Sequence, residues 1–170
     1  MEIVVNDTNI LIDLYNAGLL PYCKKLGIDF RTLDLIINEI ENEEQFVAIQ
    51  HIIDEGTLKV HSLSEKQIGV VFEKVAEYQG ACNLSVEDIS VMVYAIDNKC
   101  RLLTGDKKLK DKALLENVEV SGILYLTDML TQKGVIPEEE MANALKKLLE
   151  SNSRLPQRLL KDRINALKQR

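Results

Sequence analysis

Short apolar, β-branched runs alternate along this chain with longer stretches whose apolar residues recur at helical spacing. That alternation predicts a largely parallel sheet with helices on both faces. The strands fall at Ile3 to Asn6, Phe30 to Leu33, Leu58 to His61, Arg101 to Thr104 and Val118 to Val120. Between them, Ile10, Leu11, Leu14 and Tyr15 mark a helix from Thr8 to Ala17 that Gly18 stops, and Pro21 suits the first turn of a short one. Leu35, Ile36, Ile37 and Ile40 mark a helix rich in acids, which the pattern continues through Phe46 to Glu55 and ends at Gly56. Ser64 with Gln67 reads as a capping box opening a helix to about Tyr78, and Gly80 to Asn83 as a turn. Ser85 with Asp88 repeats the box before Ile89 to Ile96, which is apolar nearly all round and therefore buried. Leu109 to Leu115 and Ile123 to Gln132 are further helices. Pro137 opens another, with Glu138 to Glu140 in its first turn and Lys146 and Lys147 near its end, the order the helix dipole favours. A basic helix from about Pro156 closes the chain.

Two of the strands end on acids. Ile3 to Asn6 runs into Asp7, Thr8 and Asn9, and Arg101 to Leu103 into Thr104, Gly105 and Asp106. Ligands of open α/β sheets bind beyond the carboxyl ends of the strands, at the point where strand order reverses. If strands one and four are neighbours there, Asp7 and Asp106 meet. Asp88, in the first turn of the helix leading into strand four, reaches the same rim. Glu39 joins from the helix after strand two, with Glu43 its rival and Asp111 either a helper or a surface residue. Each acid has a plainer reading: Asp7, Asp88 and Asp106 as helix caps, Glu39 as one of several acids on a solvated face. Four carboxylates in one hollow repel, each pair about 5 Å apart costing roughly 3 kcal/mol at an effective dielectric near 20. Unneutralised, some hold protons. Hard oxygen donors without His or Cys select Mg²⁺ or Mn²⁺ over zinc.

Composition narrows the class. At 170 residues the chain fits one domain, with 1–137 as the core and 138–170 as a helical extension packed on it. Trp is absent, so Leu, Ile and Val build the interior. Three cysteines without close pairing and two histidines without ligand spacing argue against a disulfide framework and a zinc site and fit reduced thiols. No apolar run approaches the roughly 20 residues of a membrane span, and the N-terminus enters a strand without a leader, so a cytoplasmic location with no membrane partner is expected. The net charge of −6 sits awkwardly with nucleic-acid binding, but its distribution is uneven. Lys107, Lys108, Lys110 and Lys112 cluster directly after Asp106. From Ser151 to Arg170, Arg154, Arg158, Lys161, Arg163, Lys168 and Arg170 stand against a single acid, Asp162.

Asp7-Thr8-Asn9 after a strand, Glu39 after Asp34 to Ile37, Ser85 to Ala95 with Asp88, and Thr104-Gly105-Asp106 together resemble the four acidic motifs of PIN-domain ribonucleases. No one motif is diagnostic; their order and spacing are. The resemblance runs from Met1 to about Pro137, and Gly122 to Pro137 is similar to a prokaryotic subgroup of the family. It implies a three-layer α/β/α sandwich with a mostly parallel five-stranded sheet, Mg²⁺ or Mn²⁺, and hydrolysis of RNA phosphodiester bonds. It also implies, for many members, a toxin paired with an antitoxin protein, and a homodimer. On this reading the catalytic acids are Asp7, Glu39, Asp88 and Asp106. Asp7, Asp88 and Asp106 ligate metal, and Glu39 binds a second ion or orients water. Thr8, Asn9 and Thr104 hold the ligands from behind, and Lys107, Lys108, Arg154 and Arg158 draw in the phosphate backbone. The chain departs from the pattern in its basic C-terminal helix, a place for RNA, an antitoxin or another subunit, or simply a solvated end. Two other readings compete: a catalytically silent PIN-like module that binds RNA or protein, and a phosphoryl-transfer domain built on Asp7 and Thr104. The second lacks an acid pair after strand one.

Overall fold

The computed structural model describes residues 1–78 and 81–169, so Gly80 of the expected turn and the terminal Arg170 lie outside the described residues. Five strands, β1 (Ile3–Asn6), β2 (Asp29–Leu33), β3 (Leu58–His61), β4 (Arg101–Leu103) and β5 (Val120–Ser121), form one sheet in the order β3-β2-β1-β4-β5. Every pairing is parallel. The chain moves outward from β1 to β3, then returns across β1 to start the other half at β4. The reversal therefore falls between β1 and β4, as the strand pattern required for its two acids to meet.

Helices cover both faces, giving the three-layer α/β/α sandwich. On one side α5 (Val86–Asn98) crosses β1 and β4, flanked by α4 (Glu65–Tyr78) and α6 (Lys107–Leu115). The seven residues Ile89 to Ala95 of α5 are all buried, which is why that helix shows no polar stripe. On the other side α1 (Thr8–Asn16) packs with α3 (Glu43–Asp54), α7 (Ile123–Gln132) and α8 (Glu138–Ser151). The C-terminal helix α9 (Gln157–Lys168) docks on α8, burying Leu160 and Ile164. Arg163 makes a two-pronged contact with Asp128 of α7, both bonds 2.7 Å. Among the described residues no helix is long and apolar enough to cross a membrane.

Three expected elements differ. The acid-rich helix after β2 is not continuous: α2 (Asp34–Ile37) is a single turn, and a new helix, α3, starts at Glu43. Asn42 causes the break, its Oδ1 accepting from the Gln45 N–H at 3.0 Å as an N-cap, which frees the backbone before it from the helix. Glu39 thus lies in the turn between helices and not on a helix face. The fifth strand begins at Val120 rather than Val118. Asn117 adopts a left-handed φ of 61° and the Val118 N–H returns to the Ala113 carbonyl, so these residues close α6 before the strand can start. The segment after Pro21 is a 3₁₀ turn, Leu20–Lys25.

Candidate active site

The β1–β4 register dictates where the first two acids go. Asn6 pairs with Leu103, and the Asp7 N–H extends the ladder to the Leu103 carbonyl at 3.0 Å. The residues just beyond, Asp7 and Thr104, therefore sit side by side. Asp7 is only 4% exposed. Its Oδ1 accepts from the Thr8 N–H at 2.8 Å and its Oδ2 from the Thr104 hydroxyl at 2.8 Å. The Thr104 oxygen in turn accepts from the Asp106 N–H at 3.1 Å, and Asn9 Oδ1 from the Gly105 N–H at 3.2 Å. Two residues read from sequence as a supporting layer, Thr104 and Asn9, thus stitch the β4–α6 turn to the β1–α1 turn. The Thr8 hydroxyl does the same for the α2–α3 turn by donating to Glu39 Oε2.

All three aspartates also serve the plainer purpose set beside them. Asp7 caps α1, Asp106 Oδ1 caps α6 by accepting from the Leu109 N–H at 2.9 Å, and Asp88 forms a reciprocal capping box with Ser85, both bonds 3.0 Å. Capping fixes each carboxylate at a helix start aimed at the same rim, and does not exclude further chemistry there. Electrostatics show that the acids share one field. Burial pushes the Asp7 carboxyl up from 3.8 to about 6, against the Thr104 and Thr8 hydrogen bonds, and the charges of Asp88 and Glu39 add to the rise. Glu39 is raised by partial desolvation first, then by Glu87 and Asp88, with the Thr8 bond opposing. Asp88 is raised by burial, against Ser85, and by Asp106 and Glu87. Glu87 belongs to this field although the sequence reading passed it over; its place beside Asp88 in the first turn of α5 was the available signal. Glu43 does not join, facing Tyr15 and Val47 at the start of α3, and Asp111 lies exposed on α6.

This donor set suits a hard divalent cation, since a positive ion offsets both the burial and the mutual repulsion that raise Asp7, Glu39 and Asp88. Among the described residues no group of three carboxylates is gathered tightly enough to enclose an ion unaided. Mg²⁺ commonly keeps several waters and takes only one or two carboxylates, the substrate phosphate completing its shell, so the open arrangement fits that ion class rather than a closed protein cage. Replacing Thr104 with valine is expected to leave Asp7 Oδ2 and the Asp106 N–H unpartnered, costing about 1–3 kcal/mol per buried group left unsatisfied. Chemical denaturation of Thr104→Val measures that loss.

Beside the acids opens a cleft of about 440 Å³, lined by Thr104, Asp106, Lys107, Lys110 and Arg154 among others. Lys107 and Arg154 are two of the four basic residues singled out from sequence. Lys108 and Arg158 are exposed and do not line this cleft, whereas Lys110 does.

A family model described as PIN domain matches residues 3–169. Endoribonuclease Nob1 of Methanocaldococcus jannaschii is 30% identical over 125 residues, which make up 74% of this chain and 58% of that protein. The chain therefore spans little more than half the length of this curated relative. Two solved structures share the fold at low identity. VapBC2 from Rickettsia felis, bound to a DNA fragment from its promoter, matches with a TM-score of 0.52 and 18% identity over 71% of this chain and 98% of the other. FitAcB from Neisseria gonorrhoeae matches with a TM-score of 0.50 and 11% identity over 72% and 99%.

Proposed function

Because this chain belongs to the PIN-domain family, we propose that the hollow between β1 and β4 is the active site of a metal-dependent endoribonuclease that hydrolyses RNA phosphodiester bonds. The observation that carries the reading is the shared field: acids distant in sequence act on one another in one place, Asp88 and Glu39 on Asp7, Asp88 on Glu39, and Asp106 on Asp88. The nuclease class is supported by the family match and by the endoribonuclease relative; the residue roles and the Mg²⁺ or Mn²⁺ requirement are ours.

Asp7, Asp88 and Asp106 would hold the cation, one or two of them directly and the rest through its waters. When bound, such an ion supplies positive charge that polarises a phosphate oxygen and makes water a better nucleophile near neutral pH. The chain supplies the rest. Thr104 and the Thr8 N–H fix both oxygens of Asp7, so it meets its ligand without reorganising. Glu39, steadied by Thr8 and with its carboxyl raised by partial burial, would orient water and accept its proton. Lys107, at the start of α6, attracts the phosphate backbone, with Lys108, Arg154 and Arg158 contributing to the wider field. Cytoplasmic action, a toxin role, an antitoxin partner and a homodimer belong to the same proposal and rest on family membership.

The test is cleavage of single-stranded RNA by the purified chain. Cleavage is expected with Mg²⁺ or Mn²⁺ and none with EDTA. RNA left intact with either ion, in a chain that still binds it, would favour the catalytically silent module instead.

A further inference from the structure

The cleft beside the acids has a second wall, and it comes from the other end of the chain. The turn between α8 and α9 brings Arg154, Leu155 and Pro156 into the same cleft as Lys107, Lys110, Asp106 and Thr104. We propose that this turn is part of the substrate site: Arg154, together with Lys107 and Lys110, clamps the phosphate backbone of a single RNA strand beside the reacting phosphate. The proposal takes its ligand from the nuclease reading above.

Three observations carry it. The first is unspent charge. In a chain of net charge −6, Arg31, Lys59, Lys74, Arg101 and Arg163 are all committed to carboxylates. Among the described residues Lys107, Lys110 and Arg154 form no ion pair, although Asp106 lines the same cleft. Three free cations converging on one groove are arranged for an anion that is not part of the chain, and a guanidinium fork suits phosphate oxygens in particular. The second is the floor. Leu124, Leu155 and Pro156 give it an apolar side against which an unpaired base can lie. A cleft of about 440 Å³ is of small-molecule size, room for a nucleotide or so of one strand.

The third is that the turn is held in place. Asn152 ends α8, and its Nδ2 donates to both oxygens of the buried Asp13 on α1 at 3.1 Å each. Its Oδ1 accepts from the Arg154 N–H at 3.1 Å. One side chain thus fastens the turn to the helix that begins at Thr8, directly after Asp7, and sets the backbone that presents Arg154. Asn152 is a positioning residue in this scheme; it touches no substrate.

Binding is read by fluorescence anisotropy of a fluorescein-labelled oligouridylate, with Mg²⁺, on the Asp7→Asn chain so that the probe stays intact. Adding Arg154→Ala is expected to weaken binding about tenfold at low salt, the worth of a charge-assisted hydrogen bond. It should also flatten the plot of log Kd against log salt by about 0.7, the slope carried by one phosphate contact on a single strand. Arg154→Lys should restore the salt slope. Because Arg154 is exposed, the melting temperature should not move. Asn152→Ala should weaken binding by less, and should add nothing to Arg154→Ala if it acts through that residue. An unchanged Kd and slope in Arg154→Ala overturns the proposal and leaves the wall to another ligand such as an acidic peptide. Cleavage by the unsubstituted chain is scored separately: its absence defeats the nuclease, while cleavage with binding indifferent to Arg154 defeats only the clamp.

Discussion

Asp7→Asn is expected to abolish RNA cleavage, with a fall on the order of 10³-fold in kcat/KM. A Lewis-acidic ion is worth several kcal/mol of transition-state charge stabilisation, and each factor of ten corresponds to about 1.4 kcal/mol. The substitution removes the charge that draws the ion into the hollow while keeping the side chain's shape. An asparagine oxygen still accepts from the Thr8 N–H, and its amide can donate to the Thr104 oxygen, so the surrounding turns stay in place. Steady-state kinetics on the two proteins, with matched circular dichroism spectra, measure the loss. Substituting Glu43 in the same way should change little, since it faces a different groove.

The second large effect is on stability, and its sign depends on pH and metal. The Asp7 carboxyl is raised from 3.8 to about 6 in the folded chain, so the native state holds this proton more tightly than the unfolded state does. Between pH 4 and 6 the folded form therefore binds more protons, and the Asp7 contribution to stability falls as pH rises. At about 1.4 kcal/mol per pKa unit, the charged carboxylate costs the metal-free fold about 3 kcal/mol above pH 6. Asp7→Asn removes this cost. In EDTA the variant should melt roughly 5–10 °C above the parent at pH 8, and the gap should narrow through pH 6 to 4 and close below the unfolded value of 3.8, where Asp7 is neutral in both states. Comparing the two proteins isolates this residue from carboxylates such as Asp29 and Glu116, which are held low by Arg31 and Lys74 and act in the opposite sense. Saturating Mg²⁺ or Mn²⁺ should reverse the order at pH 8. An ion at 1,000 times its Kd stabilises only the chain that binds it, by about 4.1 kcal/mol, more than the charged carboxylate costs. Differential scanning fluorimetry over pH, with and without metal, gives the full set. A parent that stays more stable than the variant in EDTA at pH 8 contradicts the assigned burial of that charge.

What was legible in the sequence is what local chemistry determines. Ile3 to Asn6 and Arg101 to Leu103 are too short and too apolar to be anything but buried parallel strands, and each closes on an acid, so Asp7 and Asp106 could be placed from their own neighbourhoods. The Ser85–Asp88 box fixed the start of α5, and with it the position of Asp88. Glu39 was harder, because the helical spacing of Leu35, Ile36, Ile37 and Ile40 runs on smoothly into Phe46 to Glu55. The break depends on one side chain, Asn42, preferring the Gln45 N–H. Its signature, Asn followed by two glutamates, was present but outweighed by the hydrophobic period. The β5 boundary failed for a similar reason, a left-handed Asn117 inside an otherwise strand-like run.

The basic wall was beyond local reasoning. Charge counts single out the Lys107 to Lys112 cluster and the last helix, and cannot say which members face the acids. That selection is made by tertiary packing. The apolar stripe of α8, with Met141, Leu145 and Leu148, seats on α1 and α7, and the Asn152–Asp13 contact then fixes where the chain turns. Arg154 reaches the cleft because of that turn, while Arg158, four residues further on at the start of α9, does not line it.

The central claim is that carboxylates drawn from β1, α5 and β4 share one divalent cation. Crystals soaked in Mn²⁺ and measured for anomalous scattering test it directly. The account predicts a peak within coordination distance of Asp7 and of Asp88 or Asp106, lost in Asp7→Asn. A manganese-soaked crystal with no peak in that hollow, its carboxylates turned outward to solvent, contradicts it.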